Sequence, residues 1–596
     1  MPLDDNVLAP PPGVMTASTS RDYLPPETDS SLLVDSHLPS SSMSLSASLS
    51  SLSLSLDISK SADVDGDGEE PEEQSMSASS APPVTDGRGG SNVVEKTPVP
   101  GFDLFRLKMR KEDCSTASIA AFENNYKSLV NGETGMIPED AITPASGLPT
   151  YESTRGAAAR LPGKGIAELL SQTAVVKLNG GLGTSMGLEK AKSLLPVRGN
   201  DTTFLDLIGR QVEHMRKQHG APNLKFLLMN SFSTSDDTKE FFGGRFPQLQ
   251  WTELMQNMSP KIDKATKTPA VFEENPKLEW CPPGHGDIYP ALLGTGTLDR
   301  LLEDGVKYLF VSNSDNLGAT LDLDLLAYFA NESGAPFLME VCERTESDKK
   351  GGHLAVSNAT NGLILRESAQ CPKEDEGSFQ DVTKHRFFNT NNLWVNLVHL
   401  KATMSKHGGL LPLPTIFNEK TVDPRNKKTP KVYQLETAMG SAIACFDKAG
   451  AVCVPRTRFA PVKTCADLLV LRSDAYTTLP DSRVQLTPGV AKSPVVKLDD
   501  DHYKLVDKLD ALVEAAPSLS ACTKLTVQGP VRFVAGTTLK GSCRIVNHGA
   551  DAVTLPPKTY VDCDIDLTAS ATATADNDAA VPSKARATGC FGCLFR

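Results

Sequence analysis

Apolar residues follow two different patterns along this chain. Between residues 100 and 480, short aliphatic runs alternate with stretches in which apolar residues recur at helical spacing, so the runs predict strands and the stretches predict helices. The predicted strands are Ala174–Lys177, Lys225–Met229, Tyr308–Ser312 and Phe337–Val341, and the predicted helices are Ser118–Leu129, Phe204–His219 and Ser235–Phe242. Such alternation is typical of a doubly wound, mainly parallel sheet that binds ligands at the carboxyl ends of its strands.

The second pattern begins beyond about residue 480. Two series of small or apolar residues repeat every six positions in step: Val527, Phe533, Leu539 and Ile545, and Leu525, Val531, Thr537 and Cys543. Glycines at Gly529, Gly536 and Gly541 punctuate these series. A six-residue period of this kind predicts the short rungs of a β-helix.

Neither end of the chain has a globular pattern. Residues 1–99 are rich in Ser, Pro, Asp and Glu and hold too few apolar groups to offset the entropy of folding, so we expect disorder there. We divide the chain into a disordered acidic extension (1–99), an N-terminal helical segment (100–165) that packs on the main domain, the main α/β domain (166–480), a β-helix domain (481–568) and a low-complexity tail (569–596) that contains cysteines.

Charge and cysteine usage narrow the class of protein. Residues 1–99 hold 16 Asp and Glu against 4 Lys and Arg, so they carry −12 of the total charge of −13. The nearly neutral remainder argues against a nucleic-acid binder, which would concentrate basic residues. We find no apolar run of about 20 residues and no secretory signal at the N-terminus. Twelve cysteines without paired spacing favour reduced thiols, and we expect a cytoplasmic enzyme.

A glycine-rich turn follows the first predicted strand. Asn179 to Gly183 read NGGLG, a helix is expected to open at Thr184, and Lys190 and Lys192 follow. Glycines let backbone N–H groups approach a phosphate, and a helix N-terminus would add further donors. The glycine spacing matches neither the dinucleotide-binding fingerprint nor the P-loop. From the spacing alone, a plain structural turn is an equally good interpretation.

Other candidate binding residues lie just past predicted strands or in fixed loops. Asp315 follows a strand, where a Mg²⁺ held by a triphosphate finds a carboxylate, although an Asp there could equally cap the next helix. His285 lies between two glycines after two prolines, and Gln256 offers an amide that suits the edge of uracil. Asn389 and Asn391 could pair with sugar hydroxyls, but solvated loop residues remain the alternative for all of these side chains.

Seven segments together resemble one known family. Lys177–Gly187, KLNGGLGTSMG, is similar to the signature of eukaryotic UTP–glucose-1-phosphate uridylyltransferases at eleven consecutive positions. The family continues with G-P-K-S, whereas this chain has Lys190 and Ala191 before Lys192, which removes a rigid proline and adds a charge. The further segments, in the family's order, are MNSF from Met229, PPGHGDIY from Pro282, SNSDNLGAT from Ser312, FNTNNLW from Phe388, QLETA from Gln434 and PRTRFAPVKT from Pro455.

The resemblance covers roughly residues 100–560. It implies an α/β, Rossmann-like nucleotidyltransferase (GT-A-like) mixed sheet in residues 166–480, with a left-handed β-helix after it that is often used for self-association. The implied reaction converts UTP and glucose-1-phosphate into UDP-glucose and pyrophosphate by direct, Mg²⁺-assisted transfer. A phosphate oxygen of the sugar phosphate is already a nucleophile, so catalysis would rest on positioning and charge neutralisation.

The resemblance also implies roles for individual residues. Lys192, Lys463 and Asp315 would be catalytic, with Asp315 as the ligand of Mg²⁺. Nucleotide contacts would come from Leu178, Asn179, Gly180, Gly181, Lys192, Met229, Gln256, Gly284, Asn313, Ser314, Asp315 and Lys463. Contacts to the sugar phosphate would come from His285, Gly352, Glu367, Asn389, Asn391 and Phe459.

Two other functions remain open from the sequence. A pyrophosphorylase of broader sugar specificity, or one for N-acetylhexosamines, would share the fold but not the KLNGGLGTSMG form. A catalytically silent scaffold would have no need for Lys192, Asp315 and Lys463, which are retained. In the tail, Cys590 and Cys593 are candidates for S-acylation and weak membrane association, with plain exposed thiols as the alternative.

Overall fold

Helices and strands alternate through residues 101–163, 165–199 and 201–568, which are the residues that the computed structural model describes. The α-helices are α1 Asp103–Lys111, α2 Thr116–Val130, α3 Tyr151–Thr154, α4 Gly165–Ser171, α5 Phe204–Gln218, α6 Ser235–Arg245, α7 Ile288–Gly294, α8 Thr297–Glu303, α9 Leu323–Asn331, α10 Glu376–Gln380, α11 Leu397–Lys406, α12 Cys465–Arg472, α13 Asp500–Tyr503 and α14 Val506–Leu512. The predicted disorder of residues 1–99 and the predicted tail from 569 onward lie outside the described residues.

The strands are short and continue to the end of the described residues. They are β1 Ile142–Pro144, β2 Thr173–Leu178, β3 Pro196–Arg198, β4 Thr202–Thr203, β5 Lys225–Asn230, β6 Thr252–Met255, β7 Ser259–Pro260, β8 Ile262–Asp263, β9 Trp280–Cys281, β10 Tyr308–Asn313, β11 Phe337–Glu343, β12 His353–Ser357, β13 Leu363–Arg366, β14 Phe387–Asn396, β15 Thr415–Thr421, β16 Lys431–Thr437, β17 Gly450–Cys453, β18 Tyr476–Thr478, β19 Val484–Leu486, β20 Val495–Lys497, β21 Ser518–Gln528, β22 Val531–Arg532, β23 Thr538–Val546, β24 Val553–Thr554, β25 Thr559–Val561 and β26 Asp564–Asp566. The four strands and three helices predicted from the apolar pattern are present, each within three residues of its expected ends.

A ten-stranded mixed sheet forms the centre of the molecule. Its order is β1-β12-β14-β10-β2-β5-β6; off this path, β11 pairs with both β14 and β17, and β13 pairs with β12. The run β10-β2-β5-β6 is parallel, as the alternating pattern predicts. β11 and β17 are also parallel, whereas β14 runs antiparallel to both β10 and β11.

Helices cover both faces of this sheet, which is why its central strands are apolar on both sides. On one face, Val175 belongs to a core that includes Phe204 of α5 and Leu468 of α12. On the other face, Ala174 and Val176 belong to a core with α7, α8 and α11. The result is a three-layer α/β fold with the sheet in the middle.

The N-terminal helical segment packs against the main domain, as expected. Phe105 of α1 and Tyr126 of α2 form an aromatic core with their ring centroids 4.9 Å apart. Ile262 and Leu435 of the β15-β16-β8 sheet complete this core. Among the described residues, no helix combines the length and apolar character that crossing a bilayer requires.

The C-terminal strands pair in parallel across a sequence distance of about twenty residues. Leu525 of β21 lies opposite Cys543 of β23, and Ile545 of β23 lies opposite Ile565 of β26. Every member of the two six-residue series is buried, with at most 2% of its surface exposed. The period therefore marks the side chains that face the core of this region.

A buried ion pair ties the sheet to the segment that leads into α12. Arg458 donates from Nε and from a terminal nitrogen to the two carboxylate oxygens of Glu340, both at 2.7 Å. Glu340 also accepts hydrogen bonds from Asn392 at 3.0 Å and from the Trp394 indole at 2.9 Å. The carboxylate is fully buried, so each of its partners replaces a lost water.

Breaking this pair should destabilise the fold strongly. In Glu340→Gln the buried Arg458 loses its charged partner, and we expect the free energy of unfolding to fall by about 3–5 kcal/mol. Glu343→Gln is the matched control, because its partner Arg386 and Glu343 itself are exposed, and it should cost less than about 1 kcal/mol. Urea denaturation measures the free energy of unfolding of both variants. Equal losses would show that burial does not make the Glu340–Arg458 pair more stabilising than the exposed pair.

Candidate active site

The parallel strands β10, β2, β5 and β6 end at one edge of the sheet. Leu178 of β2 lies opposite Asn313 of β10 and opposite Met229 of β5. Asn230 of β5 lies opposite Met255 of β6. This register brings together the glycine-rich turn and the segments that carry Ser314, Asp315 and Gln256, all of which follow directly on a strand end.

Asn179 fixes the start of the glycine-rich turn through hydrogen bonds to β5 and α6. Its backbone N–H donates to the Met229 carbonyl at 2.8 Å, and its side-chain amide donates to Asn230 at 2.8 Å and to Thr238 at 2.9 Å. The side chain is buried, with 3% of its surface exposed. Asn179 thus holds the turn in place. Gly181, two residues further along, has no other atom of the described residues within 4 Å of the position that a Cβ would take.

The helix expected from Thr184 onward is absent. Residues Thr184–Met186 form a single 3₁₀ turn between Gly183 at φ +70° and Gly187 at φ +80°. Both glycines adopt the left-handed conformation, which ends helical geometry on either side of the turn. The predicted contribution of a helix N-terminus to phosphate binding is therefore wrong, and the turn can offer only its own backbone donors.

Lys192 joins this turn to the end of β10. Its ammonium donates to the Asp315 carboxylate at 2.7 Å and also to the Val462 carbonyl. The Asp315 and Lys192 side chains are 20% and 16% exposed, so the pair faces the edge of the sheet rather than the core. Asp315 does not cap the next helix; Asp322 does, by accepting from the Leu325 N–H at 3.0 Å.

Lys463 approaches the same place from the C-terminal side. The Asp467 carboxylate accepts from the Lys463 N–H at 2.9 Å and closes a capping box with Thr464 at the start of α12. The Val462 N–H donates to the Asp315 carbonyl at 3.1 Å. Val462, the residue before Lys463, thus contacts both Asp315 and Lys192 through its backbone, which brings the Lys463 segment to the Lys192–Asp315 pair.

Gln256 and Gly284 meet on the β6 side of the turn. The Gln256 side chain donates to the Gly284 carbonyl at 2.9 Å, and a Cβ on Gly180 would come within 2.8 Å of the Gln256 oxygen. Asp287 fixes the next residue by accepting from the backbone N–H of Asn257 at 2.7 Å and from its side chain. Burial raises the pKa of Asp287 to about 7. These contacts hold the Gln256 amide in place at the carboxyl edge of the sheet.

His285 is held as a neutral donor. Its Nδ1 accepts a hydrogen bond from the Met439 N–H at 2.9 Å, which leaves the proton on Nε2. Burial, and next the nearby charge of Lys463, lower the pKa of His285 to about 4. The ring can therefore donate from Nε2 to an oxygen of a ligand without carrying a charge of its own.

Asn389 and Asn391 lie at an irregularity in β14. Thr390 and Asn391 are extra residues of β14 opposite the consecutive Glu340 and Val341 of β11; in this bulge the side chain of Asn389 donates to that of Asn391 at 2.9 Å, and Asn391 has a left-handed backbone at φ +60°. Glu367 lies beside Asn389; burial raises its pKa, whereas the Asn389 hydrogen bond and the charge of Lys463 act to lower it. The bulge turns adjacent amides toward a carboxylate and a lysine, a set that suits sugar hydroxyls.

The remaining predicted site residues lie at the same strand ends and on the segment that leads into α12. Phe459 packs edge-on against Phe388, with the ring centroids 4.9 Å apart, and Arg456 lies over it. Leu178 and Asn313 are partly exposed at their strand ends, and Ser314 is buried. Met229 is buried in the core, so its backbone, not its side chain, faces the edge.

Gly352 leaves no room for a side chain beside Glu367. A Cβ at this position would lie 2.6 Å from the Glu367 carboxyl carbon. If the site binds the glucose-1-phosphate and UTP that the sequence resemblance implies, Gly352→Ala should displace that carboxylate and raise KM for glucose-1-phosphate by about tenfold, or 1.4 kcal/mol, with little change in KM for UTP. Gly377→Ala is the control, since nothing lies within 4 Å of its added carbon. An unchanged KM in Gly352→Ala would remove this contact from the site.

His353, which follows Gly352 in the chain, stacks on His385. The rings of His353 and His385 are 3.8 Å apart, and neither ring nitrogen of His353 has a hydrogen-bond partner. Burial, and next the neighbouring His385, lower the pKa of His353 to about 2. His353 therefore stays neutral in the folded protein at pH values where an unfolded histidine is charged.

This arrangement predicts loss of stability in mild acid. Below an unfolded pKa of about 6.5 the unfolded chain binds a proton at His353 that the folded chain excludes, so stability should fall by about 1.4 kcal/mol per pH unit from this residue. His353→Phe should remove that share of the slope between pH 6.5 and 5, as measured by urea denaturation. The exposed His399→Phe is the control, and a slope unchanged in His353→Phe would contradict the assignment.

Comparisons with a family model and with known proteins show which family this chain belongs to. Residues 119–540 match the family model of UTP–glucose-1-phosphate uridylyltransferase. This chain belongs to that family. A probable UTP–glucose-1-phosphate uridylyltransferase of Schizosaccharomyces pombe is 39% identical over 398 residues, which cover 65% of this chain and 76% of that protein. The enzyme of Saccharomyces cerevisiae is 40% identical over 393 residues, with the same shares covered.

Solved structures of the uridylyltransferase family agree with the fold. A point mutant of UDP-glucose pyrophosphorylase from Leishmania major, in complex with UDP-glucose, superimposes with a TM-score of 0.73 at 49% identity, covering 79% of this chain and all of that one. A Trypanosoma brucei structure named as a UDP-glucose phosphorylase gives 0.71 at 46% identity, with 78% of this chain and 100% of that one covered. The sequence resemblance is thereby confirmed, and the protein is a nucleotidyltransferase of this family.

Some residues that position the uridylyltransferase site were not predicted from the sequence. The T-x-x-D capping signature of Thr464 and Asp467 was readable and places Lys463. Asp287 lies inside a recognised motif but shows its role only through its contact with Asn257. The Glu340–Arg458 pair joins residues 118 positions apart, and no local pattern signals it.

Proposed function

We propose that this protein catalyses the reversible reaction of UTP and glucose-1-phosphate to UDP-glucose and pyrophosphate. What supports the proposal most is the Lys192–Asp315 ion pair at the carboxyl edge of the parallel strands, which contacts Val462, the neighbour of Lys463, in a chain of the uridylyltransferase family. Two lysines and one carboxylate suit the polyphosphate of a nucleotide. No serine, cysteine or histidine nucleophile is required, because the sugar phosphate supplies its own oxygen.

Charge neutralisation is the main task of the two lysines. Lys192 pairs with Asp315, so each charge already has a partner. Phosphate oxygens of UTP would take over Lys192, and Lys463 would approach from the α12 side. Preorganised cations at the edge of the sheet stabilise the charge that builds up as the new bond forms.

The residues present suit a Mg²⁺ ion that arrives with UTP. Mg²⁺ is usually held by one or two carboxylates together with substrate phosphates and water. Asp315 offers such a carboxylate at a partly exposed strand end. Among the described residues, no group of three or more His, Cys, Asp and Glu could hold a metal by itself, in keeping with a shared site. When bound, Mg²⁺ would neutralise charge on the phosphates.

Recognition of the two substrates would divide between the two sides of Asp315. On the β6 side, the Gln256 amide and the backbone around Gly284 would read uracil, and Leu178 to Gly181 would lie along the nucleotide. On the β14 side, neutral His285 would donate to the sugar phosphate. Asn389, Asn391 and Glu367 would bind hydroxyls there, with Gly352 and Phe459 shaping the wall.

The C-terminal strands support two finer proposals. Their parallel pairs and the six-residue series of buried side chains are what a left-handed β-helix requires, and we assign this fold to residues 481–568. Self-association through it would give a homo-oligomer, which light scattering of the purified protein tests. All ten cysteines in the described part of the chain are free thiols, which suits the cytoplasm. Cys590 and Cys593, proposed for membrane association, lie outside the described residues.

Release of pyrophosphate tests the proposed function. Purified protein with UTP, glucose-1-phosphate and Mg²⁺ should release pyrophosphate, and omission of either substrate or of Mg²⁺ should abolish it. Galactose-1-phosphate and N-acetylglucosamine-1-phosphate, each in competition with glucose-1-phosphate, decide between strict and broad specificity. If no sugar phosphate supports release by a folded protein, the silent scaffold becomes the better interpretation.

A further inference from the structure

A cavity lies on the sheet face that α5 covers. Its volume is about 540 Å³, within the range of small-molecule sites. None of the residues assigned to the two substrates lines it. Much of the lining is aliphatic, with side chains from β2, α5 and the start of α9: Val175, Ile208, Val212, Met215, Leu321 and Leu323. Exposed His214 and Arg483 also line it, so the cavity opens to solvent.

One wall of this cavity carries a buried cation that lacks a counter-ion. Lys177 is 4% exposed, and its ammonium donates to the Ser312 hydroxyl at 2.8 Å and to the Ala319 carbonyl at 2.5 Å. Both partners are neutral, and no carboxylate in the described residues forms an ion pair with Lys177. Burial, and next the charge of Arg458, lower the pKa of this lysine to about 7. An anion in the cavity would remove most of that cost.

The carboxylates in the lining already have other partners. Asp322 accepts from the Tyr151 hydroxyl at 2.8 Å and caps α9, and Arg458 lies 3.8 Å from it. Asp324 accepts from the Ala158 N–H at 3.0 Å. Asp481 pairs with Arg483 at 2.6 Å. Of the Lys and Arg side chains in the lining, Lys177 is the one whose hydrogen-bond partners are both neutral.

We propose that this cavity binds a small apolar monoanion, such as an aromatic or medium-chain carboxylate, with its head group on Lys177 and its body along α5. The aliphatic lining fits a hydrocarbon body, and the enclosed ammonium fits one negative charge. The two partners of Lys177 flank the loop that carries Asp315, so an occupant would contact the lysine that holds both ends of this loop.

Two fluorescent probes of similar shape test the charge and the place together. The anion 1-anilinonaphthalene-8-sulfonate and its neutral analogue N-phenyl-1-naphthylamine are titrated into the full chain with UTP present, which keeps the dye out of the nucleotide pocket. We expect one anionic dye per chain, bound at least tenfold more tightly than the neutral dye. Octanoate should displace it at least tenfold more effectively than octanol. Equal affinity for both dyes, or equal displacement, would overturn the proposal.

Variants fix the location. Val212→Trp or Met215→Trp fills the cavity and should weaken binding of the anionic dye at least tenfold, whereas Val398→Trp, at an exposed valine of α11, should not. Lys177→Met should lose the preference for the anion and keep the neutral dye. Thermal melting confirms folding, and if Lys177→Met does not fold, the wild-type preference and the tryptophan variants still decide. Dye binding that survives both tryptophan variants would place the site elsewhere.

Discussion

Asp315→Asn should lower kcat by roughly 10³-fold, the largest effect that we expect from one substitution. The change removes the negative charge that pairs with Lys192 and that is proposed to hold Mg²⁺, while the size of the side chain is kept. The neutral amide is a poorer ligand for a hard cation, so the concentration of Mg²⁺ needed for half-maximal rate should also rise. Steady-state rates over a Mg²⁺ titration measure both effects.

Asp304→Asn serves as the control for this prediction. Asp304 is exposed and pairs with Lys225 on the surface, so its loss should leave kcat and the Mg²⁺ requirement unchanged. If Asp315→Asn folds and turns over within a factor of about three of wild type, a difference below 1 kcal/mol, Asp315 is not the metal ligand.

Lys463→Ala should lower kcat by about 10²–10³-fold, with a much smaller change in KM for glucose-1-phosphate. Lys463 is exposed, its backbone is fixed by Asp467, and its charge acts on His285 and Glu367. Its charge therefore lies near two of the residues that are proposed to bind the sugar phosphate. Lys463→Arg should restore only part of the rate, because a planar guanidinium does not replace a compact ammonium.

Folding of Lys463→Ala should be unaffected, since an exposed lysine adds little to the core. Lys217→Ala, at an exposed lysine of α5, is the matched control and should turn over at the wild-type rate. A Lys463→Ala enzyme within about threefold of wild type would remove this lysine from the mechanism and would weaken the roles given to His285 and Glu367 beside it.

Local patterns in the sequence were sufficient for several of the helices and strands and for the sheet edge at which the candidate residues lie. The aliphatic runs at β2, β5 and β10 predicted parallel strands, and the polar residues after them lie at one edge as expected. The six-residue series predicted buried positions in the C-terminal region. In each case the signal comes from residues a few positions apart, which is the range over which periodicity reports burial.

What the sequence missed depends on contacts between distant segments. The Lys192 contact with Val462 spans 270 positions, and the antiparallel entry of β14 depends on how the chain returns to the sheet. The helix expected at Thr184 is lost because two glycines adopt left-handed conformations, which residue type permits but does not require. The bulge that orients Asn391 likewise appears only when β14 pairs with β11.

The stereochemical course at the α-phosphorus tests the central claim of a single direct transfer between two bound substrates. One diastereomer of UTP with sulfur on the α-phosphorus is converted with glucose-1-phosphate, and ³¹P NMR assigns the configuration of the UDP-glucose formed. Direct in-line attack by the sugar phosphate predicts inversion. Retention would require a covalent uridylyl intermediate on the protein and would contradict a site in which Lys192, Lys463 and Asp315 act only by positioning and charge.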